Sequence, residues 1–268
     1  MIEPLIVISA PNGARRQKTD HPDLPITPAE MAVCAEEILA AGASILHLHV
    51  RDNNNQHSLD VERYRSSIKA VRGAVGDQLI IQVTSEAVGK YSAAQQMQMV
   101  KELKPEAVSL ALRELCATDE NLTEAAEFFS WLKTKSIFPQ YILYDQEDYQ
   151  RFEDYRRRGV FADDNPFVLL VIGRSGADQQ QSEAMIKIAK SMTSPWAVCG
   201  FGTGEIPLVS FAANNAGHIR VGFENNIYNS SKQLLRGHSE MIDICQQAAN
   251  ETGRKIAKAD DVRNFFSL

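Results

Sequence analysis

Short apolar runs alternate with helix-spaced amphipathic segments from one end of the chain to the other. Eight runs read as buried strands: Leu5–Ser9, Ser44–His49, Leu79–Val83, Ala107–Ala111, Ile137–Leu143, Phe167–Ile172, Trp196–Cys199 and His218–Gly222. Between them lie helical patterns near 28–41, 60–75, 93–103, 121–134, 146–158, 180–192 and 205–215, with an eighth from about 230 to 252. Local signals agree. Thr27-Pro28-Ala29-Glu30 supplies an N-cap, a proline at the first helical position and a glutamate three residues after the cap. Gly42 stands where a left-handed residue ends the first helix.

Eight strand–helix repeats without a composition break predict a single-domain (β/α)8 barrel over residues 1–268. A doubly wound open sheet is the alternative. It is disfavoured by the count of eight and by the lack of a GxGxxG in the first strand–helix loop. The tail, Ala259–Phe266, reads as a short C-terminal helix covering one end of the barrel.

Composition changes this picture little. Hydrophobic residues make up 44% and charged residues 23%, enough apolar side chains for a barrel core. The net charge is −6 and the basic residues are scattered, with Arg15-Arg16 and Arg156-Arg157-Arg158 too short for a nucleic-acid track. No apolar run approaches the roughly 18 residues of a membrane span, and Met1-Ile2-Glu3-Pro4 does not open a signal peptide. Cys34, Cys116, Cys199 and Cys245 are far apart with no CxxC, so a reducing cytoplasm is the expected location.

The chemistry starts at His47-Leu48-His49-Val50-Arg51-Asp52. Strand residues two apart share a face, so His47 and His49 project together. Two neutral imidazoles make half of a divalent-metal site. The competing reading makes one a hydrogen-bonded core residue and the other a surface residue. Barrel active sites form at the C-terminal strand ends, so further candidates follow by counting. These are Asn12, Arg15 and Arg16 after strand one, and Gln82, Thr84, Ser85 and Glu86 around the end of strand three. Ser109, Gln140 and Gly173-Arg174-Ser175 come from strands four to six. Gly202-Thr203-Gly204-Glu205 follows strand seven, and Arg220, Glu224, Asn225 and Asn226 belong to strand eight. Strand eight closes beside strand one, which makes Glu224 a third-ligand candidate; alternatively it faces the dipole of the last helix. His21, His57, His218 and His238 are isolated and read as loop or surface positions.

With these residues in hand, the chain resembles the β-keto acid cleavage enzymes over essentially its whole length. The segments that carry the resemblance are Leu5–Ala14, Asp20–Pro28, Ala41-Gly42-Ala43 leading into His47–Asp52, and Gly217–Asn226. The resemblance implies a (β/α)8 homotetramer with one divalent metal per subunit, normally Zn2+. It also implies a reaction in which a β-keto acid and acetyl-CoA give acetoacetate and a new CoA ester, with no nucleic-acid or membrane partner. The family's metal ligands fall on His47, His49 and Glu224. Its strand-eight arginine falls on Arg220, which would stabilise oxyanion charge or, alternatively, form an ion pair within the barrel. The family's hydroxyl residue after strand three falls on Thr84.

Three departures matter. The residue after the metal glutamate is Asn225 where the family usually has aspartate, and an amide is no general base. Asp52 or Glu86 would then have to serve, or catalysis would be slow or lost. Arg15 and Gln140 replace glutamates of members acting on aminated keto acids. That exchange predicts a substrate with an anionic or polar end, met by Arg15, Asn12, Ser85, Ser109 and Gln140. Finally, Gly202-Thr203-Gly204-Glu205 and Ser85-Glu86-Ala87 replace the family's Gly-Arg and Gly-Gly. Two other functions stay open: a metal-dependent keto-acid lyase or hydrolase without CoA, and a metal-binding homologue impaired in catalysis.

Overall fold

The computed structural model describes residues 3–174 and 178–268; Ser175, expected at a strand end, lies outside them. The first half contains β1 (Val7–Ser9), α1 (Pro28–Ala40), β2 (Ile45–Leu48), a small ribbon of β3 (Val50–Arg51) and β4 (His57–Ser58), and α2 (Val61–Val75). It continues with β5 (Ile80–Thr84), α3 (Ala93–Leu103), β6 (Ala107–Ala111), α4 (Leu112–Leu115) and α5 (Leu122–Thr134). The second half holds β7 (Phe138–Leu143), α6 (Gln146–Arg157), β8 (Phe167–Ile172), α7 (Gln179–Ser191), β9 (Trp196–Gly200) and α8 (Glu205–Asn214). It ends with β10 (His218–Val221), α9 (Ser239–Glu251) and α10 (Ala259–Phe266).

The strands close in the order β1-β2-β5-β6-β7-β8-β9-β10 and back to β1, each neighbour parallel. All eight expected barrel strands are present, within one or two residues of their read limits. Alternation sorts each strand between two cores. In β8, Val168, Leu170 and Ile172 pack outward against the helices, while Phe167, Leu169 and Val171 fill the barrel. Local chemistry starts the helices as read: Thr27 and Glu30 form a reciprocal capping box on α1, with Pro28 at its first position. Among the described residues no helix is long and apolar enough to cross a membrane.

Three elements differ from expectation. The β3–β4 ribbon exists because the Asp52 carboxylate accepts from the backbone N–H groups of Asn54 and Gln56, tightening a hairpin. The last long helix starts at Ser239 and not near 230. Asn226 and Asn229 bond the backbone of residues 228, 231 and 233, stabilising an irregular loop in competition with helix. The one-turn α4 follows β6 directly and carries no sequence signal.

The C-terminal helix closes one end of the barrel, as read. Phe266 lies 4.2 Å from the ring of Phe138 and 4.9 Å from that of Phe167, the first residues of β7 and β8. Val262 is fully buried in the same interior cluster. The N-terminal end is therefore sealed by apolar contact, and the opposite end is left for polar groups. Phe266→Ala is expected to lower unfolding free energy by about 1–3 kcal/mol, below the roughly 3–5 kcal/mol of a fully buried phenylalanine. Urea unfolding measures it, and metal binding at the other end should be unchanged.

Candidate active site

At the C-terminal strand ends, His47 of β2 and His49, one residue past that strand, face the same side, both 1% exposed. The loop after β10 brings Glu224 to meet them. His47 Nε2 lies 3.1 Å from His49 Nε2, and the two sit 3.6 and 3.5 Å from Glu224 Oε2. A tetrahedral ion with bonds of about 2.0–2.1 Å needs donor atoms roughly 3.3 Å apart, so this triangle has the right size. Its chemistry fits as well. The Nδ1–H of His47 donates to Gln82 Oε1 at 2.8 Å, leaving the Nε2 lone pair toward the triangle. Among the described residues the buried Glu224 Oε2 has no hydrogen-bond partner. Two imidazoles and one carboxylate make a donor set suited to a divalent cation.

Electrostatics set the charge states of His47 and Glu224. Burial and the Arg220 guanidinium push His47 well below its ordinary value, against the pull of Glu224, so the ring is neutral. Burial pushes the Glu224 carboxyl up, but Arg220, His49 and His47 outweigh it and keep it well below the usual carboxylate range. Arg220 reaches Glu224 Oε1 at 2.8 Å and leaves Oε2 free.

The loop after β1 is shaped to accept Glu224. Arg51 donates to the carbonyls of Asn12, Gly13, Arg16 and Asn55. Gly13 adopts φ +60°, and a Cβ there would lie 2.4 Å from Glu224 Cγ. Asn12 donates to the carbonyls of His49 and Pro25, tying the same loop to the ligand strand.

The triangle lies in a cleft lined by Asn12, Gly13, Ala14, Arg15, Arg16, Thr84, Glu86, Ile142, Tyr144, Val171, Arg174, Phe201 and Arg220. Arg15 is 3.1 Å from Glu86 Oε1, and Arg174 is 3.6 Å from the same oxygen. The guanidinium carbons of Arg174 and Arg113 lie over the Tyr144 ring, 4.9 and 4.8 Å from its centre.

Other expected residues sit outside the cleft lining. Ser85 turns outward, donating to the Ser109 carbonyl and to Gln96 of α3. Gln140 lies beneath, accepting from Gln82 Nε2 at 3.1 Å, while its own Nε2 and the Ser109 hydroxyl are buried without partners among the described residues. Asn225 is fully buried; its amide donates to the Arg220 carbonyl at 3.5 Å. Asp52 is committed to its hairpin turn. The four isolated histidines are not surface positions: His21, His57, His218 and His238 are all 4% exposed or less. His57 packs edge-on to His49 and donates to the Glu86 carbonyl, and burial, with His49 next, pushes its pKa down to about 3.

Ile142, Tyr144 and Val171 received no role from the sequence. Continuing the alternation from Gln140 would have found the first two. Below Gly222, Glu205 is 1% exposed and accepts from the Gly222 N–H. Burial raises its pKa to about 8 against Gly222, Asn226, Arg16 and Arg220.

The sequence matches the family model described as beta-keto acid cleavage enzyme over residues 4–268. It is 30% identical to 3-keto-5-aminohexanoate cleavage enzyme of Fusobacterium nucleatum, covering 100% of this chain and 99% of that protein. It is 22% identical to 3-oxoadipate:acetyl-CoA acetyltransferase of Cupriavidus necator, covering 100% and 96% respectively. Among solved structures, apo ObcA superposes with a TM-score of 0.72 at 17% identity, covering 92% of this chain and 66% of ObcA. The ternary complex of ObcA with C4-CoA adduct and oxalate gives 0.72 at 16% identity, covering 92% and 68%. These two structures share the barrel fold with this chain.

Two outcomes follow from the site. Gly13→Ala should push Glu224 out of place and weaken metal binding by about tenfold or more, measured by metal titration, with circular dichroism unchanged. Glu205 has a folded-state pKa of about 8 against an ordinary 4.5, so the fold binds its proton more tightly than the unfolded chain does. Its contribution to stability is complete below the ordinary value and is lost as pH rises through 8. The stability difference between wild type and Glu205→Gln should therefore drift against wild type by about 1.4 kcal/mol per pH unit across that window. Urea midpoints at several pH values read it.

Proposed function

Because the chain belongs to the β-keto acid cleavage enzyme family, we propose that it is a zinc-dependent acyltransferase that converts a β-keto acid and acetyl-CoA into acetoacetate and a new acyl-CoA. The observation that carries this reading is the buried triangle of His47, His49 and Glu224 beside Arg220 in an otherwise cationic cleft. His47 Nε2, His49 Nε2 and Glu224 Oε2 would hold the ion. When bound, it supplies Lewis-acid polarisation and a template for the keto acid.

The chain's own groups do the rest. Arg220, fixed by Glu224 and poor in water, stabilises negative charge as it develops on oxygen. Thr84 brings a hydroxyl to the cleft wall while its Oγ1 accepts from the Glu86 N–H. Asn225 supports the turn that carries Arg220 and Glu224, because its backbone oxygen also accepts from Gly202 and Arg16.

Charge favours an anionic substrate. Four cleft-lining arginines (15, 16, 174 and 220) face two carboxylates, Glu86 and Glu224, an excess of two positive charges. The whole chain, by contrast, carries −6. Arg15 and Arg174 share one carboxylate between them, leaving guanidinium capacity for a substrate carboxylate. A homotetramer in the cytoplasm completes the reading by analogy with the family.

The zinc-loaded protein, given acetyl-CoA and a panel of β-keto acids, should form acetoacetate and a new CoA ester. Chelation should abolish this and Zn2+ restore it. Arg15→Glu should shift preference from anionic toward cationic keto acids by about tenfold or more. Turnover of a keto acid without CoA would identify a lyase instead. Stoichiometric zinc with no turnover would identify a binding protein.

A further inference from the structure

A β-keto acid exchanging its acyl group with acetyl-CoA must lose and regain a proton at carbon, and the cleft has few groups able to take it. Guanidinium groups have no acceptor to offer, and Asn12 and Thr84 are not bases at neutral pH. Burial raises the Tyr144 phenol further out of range. Glu224 is committed to Arg220 and to the two histidines. The remaining cleft-lining carboxylate among the described residues is Glu86.

Its placement is built. The Glu86 N–H donates to Thr84 Oγ1 at 3.0 Å, and its carbonyl accepts from His57 Nε2 at 2.8 Å. The buried ribbon strand β4 thus fixes the backbone under the side chain, which is 12% exposed. Arg15 and Arg174 both approach Oε1, and Oε2 has no partner among the described residues. One oxygen is anchored and the other is available.

We propose that Glu86 is the catalytic group that removes the C2 proton of the β-keto acid and returns it to the product. This rests on the acyltransferase reading above. The C2–H bond breaks, an O–H bond forms on Glu86, and the electron pair passes into the C2–C3 enolate. C2 then attacks the thioester carbonyl of acetyl-CoA and expels CoA thiolate. The thiolate adds to the C3 carbonyl, and the C2–C3 bond breaks with its electron pair on C2. Glu86 returns its proton there, giving acetoacetate and the new acyl-CoA without any oxidant or reductant.

The test compares Glu86→Gln and Glu86→Ala with wild type in the zinc-loaded protein. Turnover number should fall by about 10²–10⁴ in both variants, with one zinc per chain retained. Added formate should restore Glu86→Ala by about tenfold or more, and leave Glu86→Gln, whose side chain fills the space, unrescued. The proposal is overturned by Glu86→Gln turnover within about threefold of wild type, by loss of zinc from both variants, or by a slow Glu86→Ala that formate does not rescue. An active wild type combined with any of these sinks the base assignment alone. A wild type inactive with every β-keto acid sinks it together with the acyltransferase reading.

Discussion

The contact on which most of this molecule depends is the ion pair between Arg220 and Glu224. A carboxylate removed from water is costly, and a buried charge stripped of its partner costs about 3–5 kcal/mol. Arg220, four residues away, meets one oxygen of Glu224, and His47 of β2 and His49 just after that strand face the other. The arrangement works only if the backbone of the first loop passes directly against the Glu224 side chain. Gly13 makes that approach sterically possible, and Arg51 holds the loop there by collecting its carbonyls. The same ion pair that makes Glu224 tolerable inside the barrel thus leaves one lone-paired oxygen pointed at two imidazoles. Structural and chemical demands converge on one side chain.

The barrel divides its interior accordingly. Phe138, Phe167 and Phe266 fill the N-terminal end with stacked and tilted rings, and the polar groups beside them are few. Toward the other end the interior becomes polar, and each layer hands a hydrogen bond to the next. His47 donates to Gln82, and Gln82 donates to Gln140. This chain of amides orients a ligand histidine from across three strands, since β2, β5 and β7 each contribute one member. Gln140 Nε2 and Ser109 Oγ, unpartnered among the described residues, are the loose end of that chain, adjacent in register across β6 and β7.

How much of this could be read from the chain depends on whether the relevant signal is periodic. Barrel strands are: β6, from Ala107 to Ala111, and β8, from Phe167 to Ile172, coincide with their expected limits. Alternation places His47 and His49 on one face, and closure of the eighth strand beside the first brings Glu224 to the same end. Burial of a single polar residue has no such period. His218 looked isolated, yet it accepts from Ile6 N–H and reaches Glu3 because β10 runs beside β1. Ser85 looked like a strand-end hydroxyl for the cleft, but one step of alternation separates it from Thr84 and turns it outward to α3. The pairing of Arg15 with Glu86 joins positions 71 apart in sequence, and it depends on how two loops lean rather than on any local pattern.

Glu205 and Glu224 show what the end of the barrel does with charge. Both are carboxyls in the same wall, and burial pushes both upward. Glu224 has Arg220 at 2.8 Å with two histidines beyond, and it stays ionised. Glu205 has neutral donors, the Gly222 N–H and the Asn226 side chain, with Arg16 and Arg220 acting only through their charge, and its pKa rises to about 8. At neutral pH one carboxyl therefore keeps its charge and the other carries its proton, the kind of split that distance to a single cation produces. The consequence reaches the cleft. Were Glu205 also ionised, it would offset part of the positive excess that Arg15, Arg16, Arg174 and Arg220 create. Because it is neutral, the mouth of an acidic protein stays positive, which draws anions toward the one place where His47, His49 and Glu224 could act on them.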